Sequence, residues 1–270
     1  KIPSDSINHE DMRMFYYAYL NQNNNDKVSL WGERIAFLFP YDSEIIASLA
    51  THYNGANQPG RAEEVAKNYI SQCDSTNLYV NKEYAYSLFM QFKYDEAIPL
   101  YEKLIAQGFD NFESNFVLGL CYENQPNKEE ALKHYQKAVQ FKSDNATCLF
   151  HLALAEKALN MDSLSMAHFN QSLEVSLPKD RALRTYKWLA DLHFQHSRYA
   201  DAARDFELCI LYDEEDDPLN YYNAAQMFIA SKNKLKAKQH LQMFLANANR
   251  LEDKKEAAQL ISKAKEQLKQ

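Results

Sequence analysis

Residues 112–145 read FESNFVLGLCYENQPNKEEALKHYQKAVQFKSDN and contain two amphipathic helix patterns separated by a turn. In the first pattern, Phe116, Leu118 and Tyr122 recur at helical spacing and form one apolar stripe. Gly119 lies within this stripe and permits close approach of a neighbouring helix. A helix this short is marginal in isolation, so the pattern predicts a helix that packs against a partner.

The second pattern begins at Lys128, after the turn-forming sequence Asn-Gln-Pro-Asn. Its apolar face carries Ala131, Leu132, Tyr135, Ala138 and Val139. Each helix leaves a face that its partner only half covers, so the unit requires copies of itself as neighbours. The sequence supplies them, because the pattern recurs at steps of 34 residues in both directions.

This recurrence predicts an all-α fold of antiparallel helix pairs in tandem. We expect seven units, at residues 9–42, 43–76, 78–111, 112–145, 146–179, 183–216 and 218–251. An N-terminal extension at 1–8 precedes them. The amphipathic helix expected at 252–270 has a charged outer face, which is typical of a capping helix.

The repeated residues resemble the tetratricopeptide repeats. That family places Leu-Gly and then Tyr in the first helix of each unit, and Ala, an aromatic residue and Ala in the second. The matching residues here are Leu118, Gly119, Tyr122, Ala131, Tyr135 and Ala138. The match weakens at Ser165 and Ser172, which replace alanines in the fifth unit, and at Tyr16 and Gly32 in the first. The resemblance implies a right-handed superhelical solenoid whose first helices line a concave groove.

Groove positions of the family fall mainly on aromatic and apolar residues of this chain. They are Arg13, Tyr17, Tyr79, Lys82, Tyr86, Phe89, Phe116, Leu120, Phe150, Leu154, Lys187, Asp191, Phe194, Tyr222 and Gln226. Large apolar side chains exposed along a groove are costly unless something covers them, so we expect a recognition surface. The alternative is that several of them turn inward and extend the core.

The centre of this surface is expected at Tyr79, Tyr86, Phe89 and Phe116. The cations Arg13, Lys82 and Lys187 would orient acidic groups of a partner.

Some family members grip the carboxylate of a chaperone tail with a Lys and Asn cluster. The corresponding or nearby positions here hold Tyr17, Ser48 and Glu83, which disfavours that activity.

Charge is distributed unevenly along the 270 residues, whose formal net charge is -7. Residues 231–270 contain ten Lys or Arg and four Asp or Glu, whereas the first 230 contain twenty and thirty-three. An acidic body argues against nucleic-acid binding, which depends on neutralising phosphates. With 5 Gly in the chain, a glycine-rich phosphate loop is also disfavoured.

The sequence offers few candidates for a catalytic or metal-binding motif. His193 and His196 form an HxxH pair that suits a metal, but His193 falls at a core position of the repeat. The acidic segment 213–217 is expected to be a solvated loop between units. The common hydrolase, nucleotide and calcium motifs are missing, so we expect a non-enzyme with no cofactor and no metal.

The four cysteines show no metal spacing, and we expect them to be reduced, with Cys73 the exposed one. No stretch is long and apolar enough for a membrane span. The chain begins at Lys1, which fits a removed signal peptide or a trimmed product. We lean towards an exported or periplasmic bacterial protein, with a cytoplasmic location as the alternative.

These observations favour a non-catalytic scaffold that binds a protein or peptide segment in its groove. One alternative is a glycan- or small-ligand-binding component of a bacterial cell envelope. Another is a structural part of a larger chain, docked through the basic residues Lys234, Lys236 and Lys238.

Overall fold

The computed structural model describes residues 8–269, which are organised as a succession of α-helices. In chain order these are α1 His9–Asn21, α2 Asn25–Leu38, α3 Ser43–Gly55, α4 Pro59–Gln72, α5 Leu78–Met90, α6 Tyr94–Ala106, α7 Phe112–Glu123, α8 Lys128–Phe141, α9 Ala146–Ala158, α10 Asp162–Val175, α11 Lys179–Gln195, α12 Tyr199–Tyr212, α13 Pro218–Ala230, α14 Lys234–Asn247 and α15 Lys254–Gln267. A 3₁₀ turn at Ala248–Arg250 follows α14.

No strand occurs between residues 8 and 269, and consecutive helices pack as pairs. The predicted all-α fold of helix pairs is therefore confirmed, whereas its superhelical handedness and its division into seven repeats stay predictions. Of the expected extension at 1–8, residues 1–7 lie outside the described residues. Asn8 is the N-cap of α1, where its side chain accepts a hydrogen bond from the Asp11 N–H at 2.9 Å.

The helices form two compact units. In the first, which ends at Lys142, α1 to α8 pack as four pairs, and α4 also packs on α5. One of its core clusters includes Tyr16, Leu49 and Tyr53. In the second unit, α9 to α14 form three pairs, and α15 covers the end of the last pair by placing Ala264 against Leu241 and its neighbours.

Small residues set how closely the paired helices approach. A Cβ added to Gly119 on α7 would lie 2.6 Å from Cε1 of Tyr135 on α8, so the tyrosine ring occupies the space that a side chain would need. In the first pair the sizes are reversed: the bulky Tyr16 is on α1 and the glycine, Gly32, is on α2. A Cβ on Gly32 would lie 3.0 Å from Cε2 of Tyr16 and 2.6 Å from Cδ1 of Leu49 on α3. Because the large and the small residue have exchanged helices, Tyr16 and Gly32 both depart from the repeat pattern.

The two serines of the fifth unit are also accommodated. Ser165 donates to the Ala153 carbonyl at 2.8 Å, and Ser172 donates to the Phe169 carbonyl at 2.6 Å. Both hydroxyls are fully buried but hydrogen-bonded, so serine replaces alanine without leaving an unpaired polar group.

Candidate partner-binding surface

Helix α5 presents three of the predicted groove residues as partly exposed rings. Tyr79 is 67% exposed and meets Phe109 edge to face, with ring centroids 5.6 Å apart. About two to three turns further along α5, Tyr86 and Phe89 lie with their ring centroids 5.8 Å apart in a tilted arrangement. These ring contacts hold the side chains in place and leave part of each ring open to solvent.

Helix α7 continues the aromatic character of this surface. Phe116 stacks on Phe112 with ring centroids 5.6 Å apart, and its ring centroid also lies 6.1 Å from that of the buried Tyr135. Leu120, one turn further along α7, is also half-buried. Lys82 on α5 reaches Glu113 on α7 at 3.3 Å and thereby links the two helices across this side of the unit. We call Tyr79, Tyr86, Phe89 and Phe116 the α5–α7 aromatic face.

Two of the three cations expected to orient a partner are already neutralised within the protein. Arg13 donates to both oxygens of Asp42, at 2.6 and 2.7 Å, and to Glu44 at 2.6 Å. These hydrogen bonds raise its pKa further. Glu44 also accepts a hydrogen bond from Tyr17. Arg13 would have to leave these internal pairs in order to orient acidic groups of a partner, and that role stays a prediction.

Lys82 is in the same situation, with Glu83 at 3.5 Å in addition to Glu113. Burial lowers the pKa of Lys82, but the two carboxylates raise it more, so that it lies above its usual value. The sequence did contain a signal for these pairings. Glu44 follows Arg13, and Glu113 follows Lys82, by the same 31 residues, which is three residues short of the 34-residue step and places each carboxylate about one turn earlier on the next first helix.

The structure places two predicted groove residues of the second unit in the core. Phe150 is 1% exposed and packs 5.9 Å from Phe169, because α9 is apolar on most of its circumference. Tyr222 is 7% exposed and packs 5.0 Å from Phe244. The prediction that they line an open groove is wrong, and the inward-turning alternative holds for both.

Two other groove positions of that unit also make internal contacts. Leu154 is half-buried and packs against the core cluster around Phe150 and Phe169. The Gln226 amide exchanges two hydrogen bonds of 2.9 Å with Gln267, which ties α13 to the capping helix α15.

Lys187, Asp191 and Phe194 of α11 line a small cavity of about 190 Å³ together with Phe206, Asn223 and Met227. Lys187 is exposed, and half of the Phe194 surface is open to solvent. Asp191 lies 3.2 Å from Lys157. Sites for drug-sized ligands usually exceed about 300 Å³, so this cavity suits one side chain or one sugar ring.

The histidines of the HxxH pair do not converge on a common site. Nδ1 of His193 lies 2.6 Å from the carboxylate of buried Asp205, and Nε2 of His196 lies 2.8 Å from Asp162. Burial raises the pKa of Asp205, although the hydrogen bond from His193 opposes this. Within residues 8–269, no group of three or more His, Cys, Asp or Glu side chains is arranged to hold a metal.

The acidic loop at 213–217 uses its carboxylates to hold its own fold. Asp213 accepts from the backbone N–H groups of Glu215 and Asp217 at 3.1 Å each, and from Asn220 at 2.6 Å. Asp216 pairs with Arg250 at 2.8 Å. The loop thus has a structural role in joining α12 to α13.

The cysteines behave as predicted. Cys73 is exposed, whereas Cys121, Cys148 and Cys209 are buried, and burial raises the pKa of each of these three thiols to about 12. Among the helices of residues 8–269, none has the length and apolar composition that crossing a bilayer requires.

One residue of this region escaped the sequence analysis. Phe92, in the turn between α5 and α6, is 77% exposed and lies 6.2 Å from Tyr94. It occupies a turn position that holds Asn23 and Asn57 in the preceding pairs, and this contrast was a usable signal.

Sequence comparisons point to helical repeats. A family model described as anaphase-promoting complex, cyclosome, subunit 3 matches residues 90–162. DnaJ homolog subfamily C member 3 of Gallus gallus is 23% identical over 173 residues, which cover 61% of this chain and 34% of that protein. The chain therefore spans about one third of the length of this curated relative.

Solved structures of MamA share the fold. One crystal structure of MamA has a TM-score of 0.54 at 19% identity and covers 59% of this chain and 93% of its own. MamA from Desulfovibrio magneticus RS-1 has a TM-score of 0.57 at 17% identity, covering 62% and 94%. Together with the helix pairs and the 34-residue step, these likenesses support the resemblance of the chain to the tetratricopeptide repeats.

Proposed function

We propose that this chain is a non-catalytic scaffold that binds an extended or helical segment of a partner protein across the α5–α7 aromatic face. Helix-pair scaffolds are suited to protein–protein interaction, because they present side chains from several helices on one surface. The observation that carries the proposal is the row of partly exposed rings at Tyr79, Tyr86, Phe89 and Phe116. Covering such rings with apolar side chains of a partner removes their contact with water.

The charges around these rings support an apolar mode of binding. Lys82 is the cation closest in sequence to Tyr79 and Tyr86, and it is paired with Glu83 and Glu113. A partner carboxylate would have to displace these two pairs. Apolar anchors therefore supply the affinity at this surface, and ion pairing contributes little.

The test is affinity purification from the native host with the wild-type chain and the Tyr86→Ala/Phe116→Ala double variant. Each ring truncation is expected to weaken partner binding by about 1 kcal/mol or more, so the double variant should lose the partner. Phe141→Ala is the matched control, because Phe141 is a half-exposed phenylalanine of the same unit outside this face. Equal partner recovery by a folded double variant would contradict the proposal.

The second candidate is binding of a glycan or another small ligand at the cavity of about 190 Å³ in the second unit. The observation in its favour is the exposed ring of Phe194 next to the polar groups of Asp191 and Asn223, since sugars stack on rings and hydrogen-bond at their edges. Oligosaccharides should then raise the melting temperature of wild type more than that of Phe194→Ala. Identical responses of the two proteins across a glycan panel would count against it.

A further inference from the structure

The turn between α5 and α6 differs from the other turns inside helix pairs. Its central residue, Phe92, has φ +60° and is 77% exposed. At the same place in other pairs, the residues with positive φ are Asn23, Asn57, Asn160, Ser197 and Lys232. Asparagine is the non-glycine residue that tolerates this left-handed conformation best, and a bulky ring is disfavoured there.

The geometry of the turn does not require an aromatic residue. After Phe92, the Lys93 N–H donates to the Leu88 carbonyl at 3.0 Å and closes the end of α5. The equivalent bond after Ser197, from Arg198 to His193, is 2.8 Å long. The polar residue Ser197 closes the same kind of turn. Phenylalanine at position 92 therefore has a conformational and a solvation cost, and closing the turn does not require it.

The exposed ring is held in a well-defined frame. Glu63 of α4 accepts hydrogen bonds from the side chains on both sides of Phe92, from Gln91 at 2.7 Å and from Lys93 at 2.7 Å. Tyr94 then lies 6.2 Å from Phe92 and 6.2 Å from Phe89. Phe92 is thereby joined through Tyr94 to the α5–α7 aromatic face, and its turn is preorganised for contact with a partner.

The charges next to Phe92 define the chemistry that this position favours. Lys93 is the cation of the turn, and its ammonium group is engaged by Glu63. Two exposed carboxylates, Asp95 and Glu96, follow in the first turn of α6. An aromatic ring beside exposed carboxylates attracts a cation, which stacks on the ring face while it pairs with the acid.

We propose that Phe92, with Tyr94 and Phe89, anchors an arginine or lysine side chain of the bound partner segment. The cationic head meets Asp95 or Glu96, and its aliphatic stem lies along the rings. The inference rests on the proposed function, because it names the chemistry of the partner where its segment leaves the α5–α7 aromatic face.

The test uses Phe92→Asn, which installs the residue that the turn has at Asn23, Asn57 and Asn160. The probe is a fluorescein-labelled peptide of alternating leucine and arginine, and its binding is followed by fluorescence anisotropy. We expect Phe92→Asn to bind it about tenfold more weakly than wild type, while its melting temperature is equal or higher. Phe37→Asn is the control, since Phe37 is 84% exposed on α2 and should leave the affinity within about twofold.

Three results would overturn the inference: no binding of the leucine–arginine peptide to wild type, equal affinity of wild type and Phe92→Asn, or tighter binding of a leucine–glutamate peptide. The Tyr86→Ala/Phe116→Ala variant separates this from a failure of the proposed function. If that variant loses its native partner while Phe92→Asn keeps full affinity for the peptide, the cation anchor is wrong and the scaffold proposal stands.

Discussion

The contact between Gly119 and Tyr135 makes the substitution Gly119→Ala a stringent test of how the helix pairs are packed. In most helices, alanine in place of glycine is stabilising by about 1 kcal/mol, because it restricts the unfolded chain. Here the added methyl group would lie 2.6 and 2.7 Å from two carbons of the Tyr135 ring, well inside van der Waals contact.

The size of the effect follows from how little the ring can move. Tyr135 has no exposed surface, and its hydroxyl donates to Glu123. Overpacking a closed site costs about 1–3 kcal/mol, and the upper part of that range applies when the obstructing side chain is confined. After the gain in helix propensity is subtracted, we expect Gly119→Ala to lower the free energy of unfolding by about 1–2 kcal/mol.

Urea unfolding followed by circular dichroism measures this change, with Gly60→Ala as the matched control. Gly60 is also helical, but nothing lies within 4 Å of a Cβ added there, so this variant should be unchanged or slightly more stable. In a Tyr135→Leu background the cost of Gly119→Ala should fall below about 0.5 kcal/mol, since the ring is gone. A Gly119→Ala variant as stable as wild type, or an undiminished cost without the ring, would refute the packing argument.

Three further predictions concern buried ionisable side chains. Burial tends to raise the pKa of Asp42, but hydrogen bonds from Arg13 and other donors lower it below its ordinary 3.8. The ionised Asp42 carboxylate therefore stabilises the fold above about pH 4, and this contribution is lost as pH falls through the depressed pKa. Asp42→Asn should lower the free energy of unfolding by about 2 kcal/mol at pH 7, and the difference between variant and wild type in urea unfolding should shrink under acid conditions. Burial lowers the pKa of His134 below 6.5, so as pH falls the imidazole is protonated in the unfolded chain before it is protonated in the folded one. Wild type should therefore lose more of its free energy of unfolding than His134→Gln between about pH 7.5 and 5.5, the range around the ordinary histidine pKa. Equal losses in the two proteins would contradict this. Asp205→Ala should cost about 2–4 kcal/mol because it leaves His193 buried without its carboxylate, whereas His193→Phe/Asp205→Leu should cost less in the same urea assay.

The helix pairs were predictable because their determinants are local. Core residues such as Leu118 and Tyr122 recur four positions apart on one helix face, and the small residue Gly119 is next to Leu118 in the sequence. Burial at groove positions was harder to predict. The repeat frame gives the direction of a side chain from its own helix, but not whether the next helix covers it, as at Phe150 and Tyr222.

Charge pairing was missed for a related reason. The pattern of one helix does not show which side chains pair with Arg13 and Lys82, because carboxylate partners of both lie on the following first helix. Helix periodicity gave no prediction for Phe92, because this residue lies in the turn between α5 and α6. Comparing turns position by position would have exposed it, since phenylalanine stands where other pairs have asparagine.

The reversed sizes at Tyr16 and Gly32 bear on how such chains can be recombined. A hybrid that joined α1 to α8 would bring Tyr16 and Tyr135 into the same space, and one that joined α7 to α2 would face Gly119 with Gly32 and leave a void. Swapping whole pairs avoids both faults, because each ring is moved together with the glycine that it faces. Gly32 also faces Leu49 of α3, whose Cδ1 would lie 2.6 Å from an added Cβ, so the first pair has to be moved together with α3. Shuffling single helices between these two pairs should therefore yield unstable proteins.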